Sequence, residues 1–460
     1  MVKEEKKINR RDYLKYTGAA IGGLVVGGAL GYLLKPAEVV EKTATVTAPG
    51  SIATTTIERT VTVTPTITTP TIPPAKAVTI NYIDYLNPPH NKVHKDVCDM
   101  YMKKHPEVNI NYVIEPYPEI GDKIIASFEA KNPAHLVTCV SFWMPTLVDA
   151  KVLEPAPDWM IKKLEEEFVP GAKELCVQGD GVIYGPTHEF GIHLPIFNLD
   201  MLEKYNLKPP KTWEELVEID KQMTIVEGGV TKQAGFAFFP KGGWIALHWV
   251  GVLYAYGEKV LTSDMKAFAA NTERGIKSLE TYVSLCHPDL CPDEFATHEA
   301  FTKQLIAGED FISLTRAYVK EGPYPNIRIM TPGPLEQYVK KTQSYAWFYV
   351  VPKMYPSDIK EIVWDIIDFH TDPEQDMMMA DLGYLPMLKK SLEKFKEDEF
   401  IKAFVDAVPY TEMYPPTSKW PAIESVIVAQ VGRAIAKEIT PEQALATMEE
   451  QINSILGSKK

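Results

Sequence analysis

"GVIYGPTHEFGIHLPIFNLDMLEKYNLKPPKTWEELVEIDKQMT", Gly181 to Thr224, is the stretch on which the fold turns. Its "HEFGIH" has the look of a zinc-protease motif, but His188 and His193 stand five residues apart. Two ligands on one helix face need a spacing of four. Pro186 and Gly191 also argue against a helix there. Further on, Thr212 is followed three residues later by Glu215, the signature of a capping box. Trp213, Leu216, Val217 and Ile219 then fall on one side of the helix it starts. The stretch reads as non-helical chain giving way to an amphipathic helix, with no zinc chemistry in it.

Upstream the pattern is strand, helix, strand. "AVTINYIDYL" from Ala77 is a short β-rich run, "NKVHKDVCDMYMKKHP" has helical spacing and stops at Pro106, and "VNINYVIEPY" alternates again. A helix from about Ile120 to Ala130 and the apolar run "HLVTCVSFW" follow. Strands alternating with helices predict a parallel sheet covered on both faces. Downstream the chain is helix-rich. Thr272 caps a helix with Ile276, Leu279 and Val283 on one face, and "PSDIKEIVWDIIDFHTD" and "TPEQALATMEEQINSIL" follow the same logic.

The 460 residues are 45% hydrophobic and 24% charged, an ordinary globular composition with room for two or three domains. The net charge of −13 excludes a broad nucleic-acid surface, which needs concentrated Lys and Arg. Five cysteines are far from a disulfide scaffold. In "CHPDLC", Cys286 and Cys291 are a candidate bridge if the body is exported. A zinc site there with His287 and His298 lacks the two-residue cysteine spacing. No G-x-S-x-G elbow and no phosphate-binding glycine loop appears in the body. No stretch singles out a glycosidase carboxylate pair. The sequence points to no catalytic residue, no metal and no cofactor. Met377 to Met379 read as core.

The N-terminus is different. "NRRDYLK", Asn9 to Lys15, resembles a twin-arginine export signal, departing from it in the first residue and in Tyr13. Ala19 to Leu34 forms an apolar run of about 16 residues, near the short limit for a bilayer span. With no small-x-small cleavage site evident, residues 1–36 read as a retained signal or anchor. Residues 37–76 are rich in Thr and Pro and lack the apolar bulk that offsets chain entropy. They read as a disordered stalk and a candidate for O-glycosylation, able to reach ~120 Å at ~3.3 Å per residue.

Four ordered segments carry a family resemblance. The opening stretch, with its Asn-x-Asp and Pro-Pro-Lys-Thr-Trp-Glu-Glu, is joined by "FTKQLIAGEDFISL", "DFHTDPEQDMMMADLGYLPMLKK" and "TPEQALATMEEQINSIL". Together, from about Val78 to Leu456, they resemble the extracellular solute-binding proteins of ABC importers, the group that contains the maltose- and multiple-sugar-binding proteins. The resemblance implies an α/β, two-lobe periplasmic-binding-protein fold of type II, a Venus flytrap that traps ligand between lobes joined by crossing strands. Crossings would lie near Thr187–Leu194, Ile312–Arg316 and Tyr345–Tyr349. Lobe 1 would take residues 77–187 and 316–346, and lobe 2 residues 190–312 and 350–460.

It also implies a tethered, extracytoplasmic monomer that hands a carbohydrate, expected to be an oligosaccharide, to a membrane permease without catalysing a reaction. Sugar needs aromatic planes for stacking and polar groups for its hydroxyls. Trp143 matches the place of a stacking tryptophan in maltose-type relatives, and Tyr318 falls near another family aromatic. Trp244 follows two glycines, Trp347 lies on the third crossing, and Trp420 precedes Pro421 and a long helix. His188, Glu189 and Arg316 are the polar candidates beside the crossings. Two alternatives stay open: the same fold with a polyamine, peptide or glycerol phosphate, and a surface-anchored glycoside hydrolase.

Overall fold

The computed structural model describes residues 78–291, 294–311, 328–382 and 384–457. The signal, the stalk, the Ile312–Arg316 crossing, Arg316 and Tyr318 lie outside the described residues. Among those that are described, no helix is long and apolar enough to cross a membrane.

The strands are β1 (Val78–Tyr85), β2 (Val108–Glu115), β3 (Leu136–Val140), β4 (Thr187–Ile192), β5 (Leu194–Asn198), β6 (Ile225–Glu227), β7 (Val230–Gln233), β8 (Gly308–Phe311), β9 (Ile329–Met330), β10 (Thr342–Val350) and β11 (Thr411–Glu412). The helices needed below are α1 (Pro88–Lys104), α2 (Tyr117–Glu129), α3 (Trp213–Met223), α4 (Gly243–Ala255), α5 (Glu273–Ser284), α6 (Ser357–His370), α7 (Pro373–Asp381), α8 (Trp420–Ile435) and α9 (Pro441–Leu456).

The main sheet runs β11-β10-β3-β1-β2, with β4 on the other side of β10. β1, β2 and β3 are parallel, as the alternation of strands and helices predicts. β10 is antiparallel to both β3 and β4, so the sheet is mixed rather than wholly parallel. This strand comes from far along the chain and needs no helical crossover to enter. A second sheet, β8-β5-β9, is antiparallel. β6 and β7 form a separate hairpin.

β4 belongs to the main sheet and β5 to the second, and His193 alone separates them. The first predicted crossing is therefore the place where the chain passes between sheets. The Tyr345–Tyr349 segment is the middle of β10, buried throughout.

Local chemistry explains the helices. α1 buries His90, Asn91, Val93, His94, Val97, Cys98 and Tyr101, a stripe at helical spacing. Thr212 caps α3 by accepting from the Glu215 amide, but the Glu215 carboxylate bonds the Lys211 amide instead of closing the box. Thr272 caps α5 through the Gly275 amide. Thr440 and Gln443 form a complete capping box at the start of α9. Cys286 and Cys291 are free thiols, so the candidate bridge is absent. Cys286 donates to the Tyr282 carbonyl, and His287 pairs with Asp220 at 3.1 Å rather than with a metal set.

Candidate functional site

β1 ends in Asp84 and Tyr85, and α1 begins three residues after Tyr85. Loops and helix starts beyond the carboxyl ends of parallel strands are where α/β sheets place ligands. Here that edge is crowded with polar and aromatic groups.

Asp84 is fully buried and accepts from five donors. The Tyr85 amide is at 2.9 Å, the Thr138 hydroxyl at 2.6 Å and the Tyr112 hydroxyl at 2.6 Å. His90 Nε2 and His94 Nδ1 each stand 3.1 Å from Oδ2. Burial opposes ionisation, yet His90 and His94 hold the carboxyl well below the usual range. Burial likewise opposes charge on His90, but Asp84 and Glu189 raise it to about 9. Burial and the charge on His90 push His94 down to about 4.

Glu189, on β4, continues the network. It accepts from the Tyr85 hydroxyl at 2.8 Å and the Tyr345 hydroxyl at 3.2 Å, and lies 3.3 Å from His90 Nδ1. Gly191 makes this possible. A Cβ there would sit 2.2 Å from the Tyr345 ring, so only glycine leaves room for that ring to pass and reach Glu189.

Above the polar layer stands an aromatic wall. Tyr85 and Trp347 stack with centroids 3.9 Å apart and planes 9° from parallel. Trp143, just past the end of β3, meets Trp347 edge-on at 5.8 Å. Phe142 links this wall to Tyr414 at 5.6 Å, and Tyr414 stacks on Trp420 at 4.1 Å. Trp143 and Trp420 are thus joined through two intermediate rings.

The predicted residues therefore separate into groups. Trp143, Trp347, His188 and Glu189 converge at the edge of the main sheet. Trp347 is 2% exposed and Trp420 0%, whereas Trp143 is 9% exposed. His188 stacks on Tyr349 at 4.2 Å and is buried, and neither of its ring nitrogens has a partner. Trp244 starts a second group, at 6.1 Å from His193 and 5.6 Å from His248. There His193 Nδ1 is 3.1 Å and His248 Nε2 3.7 Å from Asp310 Oδ2.

Sequence reasoning missed Asp84, Tyr85, His90, His94, His248 and Asp310. One signal was visible: "HNKVH" puts His90 and His94 four apart on a helix, the spacing that "HEFGIH" lacks. His188 lies near the start of β4 and His193 just past its end, and they join different clusters. Each cluster has ligand atoms within 4.8 Å of one another, His90, His94 and His188 in one and His193, His248 and Asp310 in the other.

Comparison with known proteins agrees with this architecture. The family model described as bacterial extracellular solute-binding protein matches residues 96–404. A maltotriose-binding protein of Pyrococcus abyssi is 23% identical over 358 residues, 74% of this chain and 73% of that protein. An ABC transporter solute-binding protein of Thermotoga lettingae, bound with α-D-tagatose, superposes with a TM-score of 0.72 at 22% identity, over 83% of this chain and 100% of that one. A maltose-bound protein of T. maritima gives 0.71 at 19% identity, over 82% and 99%. These structures share the two-lobe periplasmic-binding-protein fold with the mixed α/β chain described above. The chain belongs to the bacterial extracellular solute-binding protein family.

Proposed function

We propose that this protein is the extracytoplasmic substrate-binding component of an ABC importer, and that it captures an oligosaccharide between two lobes. The observation that carries the reading is the wall of Tyr85, Trp347 and Trp143 at the carboxyl ends of β1 and β3. Flat apolar planes backed by polar groups suit the C–H faces and hydroxyl edges of a sugar. The P. abyssi relative is named for maltotriose binding, which supports the same class.

In this reading Trp143 is the first stacking plane. Trp244 and Trp420 contribute from the other lobe, and Arg316 and Tyr318 stay candidates. Lobe 1 comprises residues 77–187 and 316–346, and lobe 2 residues 190–312 and 350–460. Ligand binds the closed arrangement better and shifts the population toward it. The protein performs no reaction. Residues 1–36 hold a monomer at the membrane and residues 37–76 act as the tether, which raises its local concentration near the permease.

A thermal-shift screen at two ligand concentrations tests the class. Ligands that bind the native state raise the melting temperature with concentration. Maltooligosaccharides are expected to do so, while polyamines, short peptides and glycerol phosphates leave it unchanged. A shift with one of those three instead would overturn the sugar. Cleavage of the sugar in the sample would overturn the binding-protein reading.

A further inference from the structure

We infer that His90, His94 and His188 form a binding site for one divalent transition-metal ion, zinc by the chemistry of its ligands. Each residue offers one nitrogen, and these atoms all lie within 4.8 Å of one another. Three imidazoles are a borderline-soft, nitrogen-rich set, which suits zinc and not magnesium or calcium.

The second shell is already in place. Asp84 Oδ2 stands 3.1 Å from His90 Nε2 and 3.1 Å from His94 Nδ1. Oδ2 fixes His90 Nε2, and Oδ2 together with the Tyr82 hydroxyl, 2.8 Å away, engages His94 Nδ1, which leaves His90 Nδ1 and His94 Nε2 as the ligating atoms. Metal-bound histidines are oriented by carboxylates in this way. The two remaining nitrogens make only long contacts, with Glu189 at 3.3 Å and the Tyr349 hydroxyl at 3.5 Å. Glu189 is thus within reach as a fourth ligand.

The third imidazole supplies the independent observation. His188 is 8% exposed and both of its nitrogens lack a partner. A buried polar group without a partner is costly, and the cost calls for an explanation. The backbone has been altered to put it there. Trp347 pairs with Glu189 and Phe348 with Thr187, so His188 is the extra residue of a bulge in β4. Regular alternation would send His188 and Glu189 to opposite faces, whereas a bulge can turn both to one side. Both in fact meet His90, Glu189 Oε2 at 3.3 Å and the His188 ring at 5.6 Å.

There is also room. A cavity of about 20 Å³ lies against His94 and His188, sufficient for one small ion or water. The ion would tie α1, on the main sheet, to β4, the strand that runs on into the second sheet. A ligating nitrogen must be free of its proton, so uptake weakens as the pH falls.

The test is a titration of chelator-stripped, full-length protein with cobalt(II) chloride, followed by zinc chloride. The expected result is the intense visible absorption of tetrahedral cobalt(II), saturating at one equivalent and bleached by zinc. It should vanish in His94→Gln and His188→Gln at unchanged far-ultraviolet circular dichroism, and persist in His248→Gln. No visible band in the wild type, a band that survives His188→Gln, or a band lost in His248→Gln would each overturn the site. Zinc-edge X-ray absorption of the wild type decides the matter if His188→Gln does not fold. Scattering from about three imidazoles supports the site, and a shell of oxygen alone refutes it.

Discussion

The two histidine clusters at the ends of β4 are built from similar parts and behave differently. In the first, three imidazoles sit with two carboxylates, and Asp84 collects five donors. In the second, His193 and His248 share the single carboxylate of Asp310. The same burial therefore has opposite results. His90, between Asp84 and Glu189, rises to about 9, while His248 falls to about 3 because burial outweighs Asp310. How many carboxylates face a buried imidazole, more than how deeply it is buried, decides its charge.

The two clusters differ most at Asp84. Asp84→Ala leaves His90, Thr138 and Tyr112 without their shared acceptor, and is expected to cost about 3–5 kcal/mol in urea unfolding. Asp310→Ala orphans fewer groups and should cost about 1–3 kcal/mol. Equal losses would show that the five-donor arrangement adds nothing.

Gly191 acts on the same network through space, by leaving room for the Tyr345 ring that bonds Glu189. Gly191→Ala drives a methyl into the Tyr345 ring, so about 1–3 kcal/mol should be lost by overpacking. If Tyr345→Phe is made first, removing the Glu189 hydrogen bond but keeping the ring, the alanine should cost nearly as much. A much smaller cost in that background would mean that the hydroxyl, not the space, is what Gly191 protects.

On the side of the second cluster, Glu424 lies against Gly243, the first residue of the helix that carries Trp244 and His248. Burial raises its carboxyl to about 7. Its unfolded counterpart titrates near 4.5, so the folded state holds the proton more tightly between about pH 4.5 and 7. Stability from this group is full below that window and is lost as the pH rises through it. Discounted for its partial exposure, the loss is about 1–2 kcal/mol. Glu424→Gln should flatten the decline between pH 5 and 8, as read by thermal unfolding. An unchanged decline would assign the effect elsewhere.

The smallest effect contrasts two faces of one helix. Lys92–Asp96 repeats the four-residue spacing of His90–His94, but on the solvent side of α1. Lys92→Ala should shift stability by about 0.5 kcal/mol or less, because water screens the pair.

Much of the fold was legible because it rests on local signals. The caps at Thr212, Thr272 and Thr440 are set by neighbours within a turn, and the early strands and helices by periodicity. The place of β10 was not legible. Its pairing joins residues about two hundred apart with β3 and about 150 to 160 apart with β4, and nothing within β10 announces an antiparallel strand entering a parallel sheet. The site was half legible. Trp347, His188 and Glu189 could be picked out on or beside a crossing, and Trp143 from the family resemblance. Their partners could not, because Asp84 and Tyr85 read as ordinary strand residues until the register places them beside α1. The bulge at His188 is likewise a property of pairing and not of composition.

Sugar capture at Trp143 is tested by a calorimetric titration of maltotriose into the wild-type protein and into Trp143→Ala. Saturable one-to-one binding to the wild type is expected, with affinity at least about tenfold weaker in Trp143→Ala, in keeping with the loss of an aromatic stacking plane. Equal affinity in the two proteins, or no saturable binding by any oligosaccharide, would contradict it.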